Sequence, residues 1–174
     1  MEQQPTKKRT DAIKERLQNY SDMVREFENQ NERYVRLVTA MESPKVQSFD
    51  AMPGGGTAAG DRMTVNIARK IELEKSLEGD EKAIKEERAQ LERLIRKVKK
   101  PDERAVIRMK YFDGMGWTDI ADALFRKMPD FNKAARLYLD KAYKLHGTAL
   151  LSLAEAQEKA EATKLNLKRK QTRE

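Results

Sequence analysis

The sequence has no cysteine, one tryptophan and one histidine among its 174 residues, and aromatic residues make up only 6% of it. Without thiols, neither a disulfide framework nor a thiolate metal site can form, and a reducing cytoplasm is the expected compartment. No apolar run approaches transmembrane length, so no membrane partner is expected. The opening residues MEQQPTKKRT lack the apolar core of a signal peptide. Catalytic signatures are equally scarce. His146 has neither an orienting carboxylate nor a substrate pocket in its surroundings in the sequence, and no paired-carboxylate, nucleophile or metal pattern stands out elsewhere. An enzyme is not expected, and no cofactor or metal is called for.

What the chain has in abundance is charge: 37% of residues are charged against 39% hydrophobic, with a net of +7. That balance favours long solvated helices over a large central core. The charge is unevenly spread. Residues 1–92 carry 16 Lys/Arg against 18 Asp/Glu, whereas residues 93–174 carry 20 against 11. A basic half joined to a near-neutral half suggests a polyanion-binding module beside a segment with another task. A solvated helical surface is the plainer reading, since Lys and Arg are also good helix formers.

Between Lys7 and Met41 there is no Gly or Pro, and apolar residues recur at alternating steps of four and three. In heptad terms Leu17, Val24, Asn31 and Val38 take a positions, while Ile13, Tyr20, Phe27, Tyr34 and Met41 take d positions. Ser43-Pro44 ends that helix, and PKVQSFDAMPGGGTAAGD reads as a flexible linker, having no Lys and no preceding strand to make it a phosphate loop. Asp61 suits the N-cap of a second long helix ending near Lys100-Pro101. Its apolar members include Met63, Ile67, Ile71, Leu77, Ile84, Leu91 and Val98, the last four spaced seven apart. The two stripes predict an antiparallel hairpin or the matching faces of a dimer.

After Pro101 the elements shorten. PDERAVIRMKYF predicts a helix from Asp102 to Phe112, and Asp113-Gly114-Met115-Gly116 a turn. Trp117 then enters the interior, and Thr118 caps a helix whose inward face carries Ile120, Ala121 and Leu124. Pro129-Asp130 can start a further helix from about Phe131, with Ala142, Leu145, Ala149 and Leu153 facing inward. The expected organisation is an N-terminal amphipathic helix over 1–42, a linker over 43–60 and a second long helix over 61–100. A helix-turn-helix domain follows over 101–155, with a basic C-terminal tail over 156–174.

The blocks ERAVIRMKYFDGMGWTDIADAL and YKLHGTALLSL resemble sigma factor region four and the small phage regulators built on that module, the RinA-like and ArpU-like late transcription regulators. The linker followed by Asp61 and a charged helix is similar as well. One departure from the pattern is the length of FRKMPDFNKAARLYLDKA, which separates Leu124 from Tyr143 by more than a tight turn. The resemblance implies an all-α fold, a helical hairpin or coiled-coil region before a helix-turn-helix, and the cytoplasm of a bacterial host.

Double-stranded DNA is thus the expected partner, with host RNA polymerase a candidate contact and a homo-oligomer, a dimer in the first instance, the expected assembly. The residues placed toward DNA are Lys133, Arg136, Lys141, Tyr143, Lys144 and Thr148, with Arg104 and Arg108 supplying phosphate contacts from the preceding helix. Trp117, Ile120, Ala121, Leu124 and Leu145 are assigned to structure. Two other roles fit the same features: a DNA-packaging recognition subunit of the small-terminase kind, and a helical module that binds an acidic protein.

Overall fold

The architecture follows from helical periodicity that is interrupted only at Pro and Gly. The computed structural model describes the backbone of residues 4–42 and 58–171, and the side chains of residues 9–42 and 63–163. Among the described residues every regular element is a helix: α1 (Gln4–Glu42), α2 (Ala58–Ile95), α3 (Pro101–Tyr111), α4 (Trp117–Phe125) and α5 (Ala135–Gln171). The fold is all-α, as expected, with a long N-terminal helix. No described helix is long and apolar enough to cross a membrane. The chain divides into two units, residues 1–21 with 87–174 and residues 22–86.

The larger unit holds the core. From α1 come Ile13, Leu17 and Tyr20, and from the end of α2 come Leu91, Leu94 and Ile95, all buried. Val106, Ile107 and Tyr111 of α3, Ile120 and Ala121 of α4, and Tyr138, Ala142, Ala149 and Leu153 of α5 complete it. The aromatic edge of Tyr20 meets Phe112 with ring centroids 5.0 Å apart. Arg16 forks onto Glu87 at 2.6 and 3.1 Å and reaches Gln90 at 3.0 Å, a planar bidentate pair of the kind guanidinium favours. The sole buried charge among the described residues is Glu103. Burial pushes its carboxyl up, but hydrogen bonds from Ser152 at 2.7 Å and Lys100 at 3.1 Å outweigh that and hold it below the usual range.

The described parts of the smaller unit, residues 22–42 and 58–86, are antiparallel segments of α1 and α2, joined by Tyr34 donating to Glu74 at 2.6 Å and Ser76 donating to Gln30 at 3.1 Å. That bond to Glu74 raises the Tyr34 hydroxyl and lowers the carboxyl. The seam corrects the sequence expectation at one position. Asn31 is exposed, and Gln30 takes the half-buried place one residue earlier. A helix of 3.6 residues per turn drifts about 20° per heptad, which rotates Asn31 out of the seam and lets the longer Gln30 reach Ser76.

Other boundaries also differ. Helix α2 starts at Ala58, so Asp61 lies inside it and is not its N-cap, and it ends at Ile95 and not near Lys100. A tightened turn follows, with Lys97 and Val98 bonding back to Leu94 and Ile95 at 3.0 Å each. Pro101 opens α3 from its first position, where its missing N–H costs no hydrogen bond, with Asp102 and Glu103 in the first turn. The linker glycines Gly54 to Gly56, and the basic side chains from Lys164 onward, lie outside the described residues.

Candidate nucleic-acid interface

Helices α3, α4 and α5 pack on one another, and short polar connections set their angles. At the end of α3 the amides of Phe112 and Asp113 both return to the Arg108 carbonyl, at 2.8 and 3.0 Å, and Met115 returns to Met109 at 2.8 Å. Gly114 sits at φ +64, a conformation that glycine adopts without a side-chain clash. The cap of α4 is Gly116, not Thr118. Thr118 fails as a cap because the chain is already helical at Trp117, and Asp119 folds back over the cap. A Cβ built on Gly116 would lie 3.0 Å from the Asp119 carboxylate. A carboxylate in the first turn also suits the positive end of the helix.

Trp117 is half-buried, at the rim of the core. Its ring packs 4.5 Å from Tyr143 and 5.0 Å from His146 of α5, and the Lys110 ammonium lies 5.1 Å over the indole. Behind it, Tyr111 and His146 share a hydrogen bond of 3.0 Å. Burial first, then the charges of Lys14 and Lys110, push His146 down to about 4, so the imidazole is neutral at physiological pH. Burial also pushes Tyr111 up to about 12, so its hydroxyl keeps its proton. The histidine is thus a joint between α3 and α5.

The stretch between α4 and α5 is a chain of turns over 126–134, and α5 begins at Ala135, four residues after the expected Phe131. Bonds from Met128 to Phe125, Phe131 to Met128, and Lys133 and Ala134 to Asp130 hold it, all between 2.9 and 3.1 Å. Tyr138 pins this loop. Its hydroxyl donates to Asp130, whose carboxyl is thereby lowered, and its ring lies 5.4 Å from both Phe125 and Phe131. Sequence reasoning missed Tyr138 as a core residue. The signal was its spacing of four from Ala142, which extends the inward stripe back by one turn.

The expected DNA residues separate into two groups. Lys133, Arg136, Lys141, Tyr143, Lys144 and Thr148 are all exposed. Lys141 lies 4.3 Å over the Tyr138 ring, however, and Thr148 donates to the Leu145 carbonyl at 2.9 Å. At about 100° per residue, Arg136 and Thr148 are some 120° apart around α5, with Lys144 between them. Among the described residues Lys127, Lys133, Arg136 and Lys144 form no ion pair, whereas Arg126 is paired with Asp122. By contrast, Arg104 donates to the carbonyls of Val98 and Lys99 at 2.7 and 2.9 Å, closing the α2–α3 corner. Arg108 grips Glu92 at 2.8 and 2.7 Å, and both groups are shifted toward their charged forms by that bond. Among the residues assigned to structure, Ile120 and Ala121 are buried, while Leu124 and Leu145 are half-buried.

The two units also divide the charge. Residues 22–86 carry 10 Lys/Arg against 13 Asp/Glu, and the rest of the chain carries 26 against 16. Net charges of −3 and +10 follow, a sharper division than the midpoint of the sequence shows. Residues 40–136 match a family described as protein of unknown function (DUF1492), and not the late regulators or the sigma region that the motifs resemble. No curated protein and no solved structure matches the chain.

Proposed function

Since the chain belongs to DUF1492, a family described only as of unknown function, its own surface has to supply the reading, and we propose that it is a double-stranded-DNA-binding transcription regulator. The reading takes α4, the 126–134 loop and the start of α5 as a helix-turn-helix with an enlarged turn. Its main support is the set of cations without ion pairs at Lys127, Lys133, Arg136 and Lys144, on the loop and first turns of α5. Carbonyls and carboxylates of the protein occupy the nearby Arg104 and Arg108, whereas these four side chains are exposed and, among the described residues, without an ion pair. The N-terminal turns of a recognition helix are where such a module meets the groove.

Phosphate contact makes affinity fall with salt, with a slope of about 0.9 per neutralised phosphate on logarithmic axes. The resemblance to phage late-transcription regulators gives the reading its biological setting, with RNA polymerase as a candidate contact. The test is titration of duplex DNA at several salt concentrations. Combined Lys133→Ala, Arg136→Ala and Lys144→Ala should lower the slope by about 3 while helicity is kept. An unchanged slope would remove the reading.

A further inference from the structure

Lysines also gather where the α2–α3 connection and the first turn of α3 meet α5. An open cleft of about 280 Å³ there is lined by Lys97, Lys99, Lys100 and Lys159, over the buried Val98 and Ala156. Glu103, 2% exposed, holds the cleft in shape by accepting hydrogen bonds from Ser152 of α5 at 2.7 Å and from Lys100 at 3.1 Å. Lys100 thereby answers the buried carboxylate. Lys97, Lys99 and Lys159 are exposed and, among the described residues, form no ion pair. These three lysines against Glu155, the other carboxylate of the cleft, leave a net of +2.

Exposed cations elsewhere, such as Arg9, Arg36, Lys85 and Arg126, each meet a carboxylate. Like charges brought together from two elements repel one another, and a polyanion relieves that repulsion. Register on α5 indicates which polyanion. At about 100° per residue, Thr148, Ser152 and Lys159 lie some 40°, 80° and 60° around the helix from Lys144, in one rotational sense. Lys159 is about 22 Å further along the axis. The cleft therefore continues the side of α5 on which Lys144 stands. Duplex DNA carries one charge per ~1.7 Å of its axis, so about a dozen phosphates fall within that length. A small phosphorylated ligand would engage the cleft alone, whereas a duplex engages both ends of the stripe.

We propose that Lys97, Lys99 and Lys159 form a second phosphate-contacting site for the duplex that meets the first turns of α5, so that the DNA runs along α5 from Lys144 to the α2–α3 connection. The inference rests on the DNA-binding reading and extends its footprint to residues which that reading does not use. Glu103 is a positioning residue here, since it ties the connection that carries Lys97 and Lys99 to the helix that carries Lys159.

The test is titration of duplex DNA with the whole chain at several salt concentrations. Combined Lys97→Ala, Lys99→Ala and Lys159→Ala should lower the salt slope by about 3, and the same three positions changed to Arg should keep it. Glu103, Ser152 and Lys100 are untouched, so helicity and the urea midpoint should match the wild type. Combined Lys75→Ala, Lys82→Ala and Lys85→Ala removes the same charge from residues 22–86 and should leave the slope unchanged. An equal fall in that control would reduce the effect to net charge and overturn the inference. An unchanged slope in the cleft variant, beside a lowered one when Lys133, Arg136 and Lys144 are replaced, overturns the inference and leaves the DNA reading standing. A wild type that binds no duplex overturns both. Binding of polyglutamate that the cleft variant loses, with its DNA slope unchanged, would assign the cleft to an acidic protein segment instead.

Discussion

The Tyr111 hydroxyl and Nε2 of His146 share a hydrogen bond at 3.0 Å, tying the last turn of α3 to α5. The chain's one histidine is thus a partly covered link between helices, and because burial disfavours its charged form its protonation opposes the fold. In the folded protein it titrates at about 4, below the ordinary 6.5. Between those values the unfolded chain binds the extra proton, so the stability from a neutral ring is complete above pH 6.5 and is lost as pH falls toward 4. Urea midpoints should thus drop between pH 7 and pH 5. His146→Gln keeps a hydrogen-bonding partner for Tyr111 but cannot titrate, and should flatten that drop. Parallel pH profiles for the two proteins would count against this role.

Arg108 and Arg136 should behave as different kinds of cation. Arg108→Ala breaks a bidentate, partly covered pair with Glu92 and should cost about 1 kcal/mol. Its salt dependence of DNA binding should match the wild type. Arg136→Ala should leave the urea midpoint unchanged and lower the salt slope by about 1. Both quantities come from one set of purified variants, and exchanged outcomes would reverse the assignment.

The α3–α4 corner offers two glycines with different constraints. Gly114 is at φ +64 with open space around it, so an alanine there meets backbone strain alone. Gly114→Ala should cost about 1 kcal/mol. At Gly116 the backbone is ordinary for any residue, and the obstacle is the Asp119 carboxylate 3.0 Å away, which can turn aside. Gly116→Ala should therefore cost less, and Asp119→Ala should remove the difference between Gly116 and its alanine variant. Thermal unfolding of the wild type, the three single variants and the Gly116→Ala/Asp119→Ala double variant checks this.

These residues also show how far the sequence could be read. The all-α fold was legible because long stretches without Gly or Pro leave helix as the one regular element that fits their periodicity. The inward residues Ile120, Ala121, Ala142, Ala149 and Leu153 were legible from spacing, and all are buried. Tyr138 was not, because a tyrosine beside charged neighbours reads as surface until its hydroxyl is seen on Asp130. The roles of Arg104 and Arg108 were hidden for a similar reason. A guanidinium looks the same in sequence whether it faces phosphate or a carbonyl of its own chain.

Trp117 carries a final prediction about the joint. It is half-buried against Lys110 and against Tyr143 and His146 of α5, so its ring is part of the packing that sets the angle of α5 against α4. Trp117→Ala should cost roughly 2 kcal/mol, less than a fully buried indole because the site already meets solvent. Trp117→Phe should recover most of that, because a smaller ring still fills the space beside Tyr143. Duplex affinity decides between packing and direct contact. If the indole acts through packing, Trp117→Phe binds DNA like the wild type, and Trp117→Ala binds normally below the temperature at which it unfolds. If both variants lose affinity while their helicity persists, the indole is itself a DNA contact.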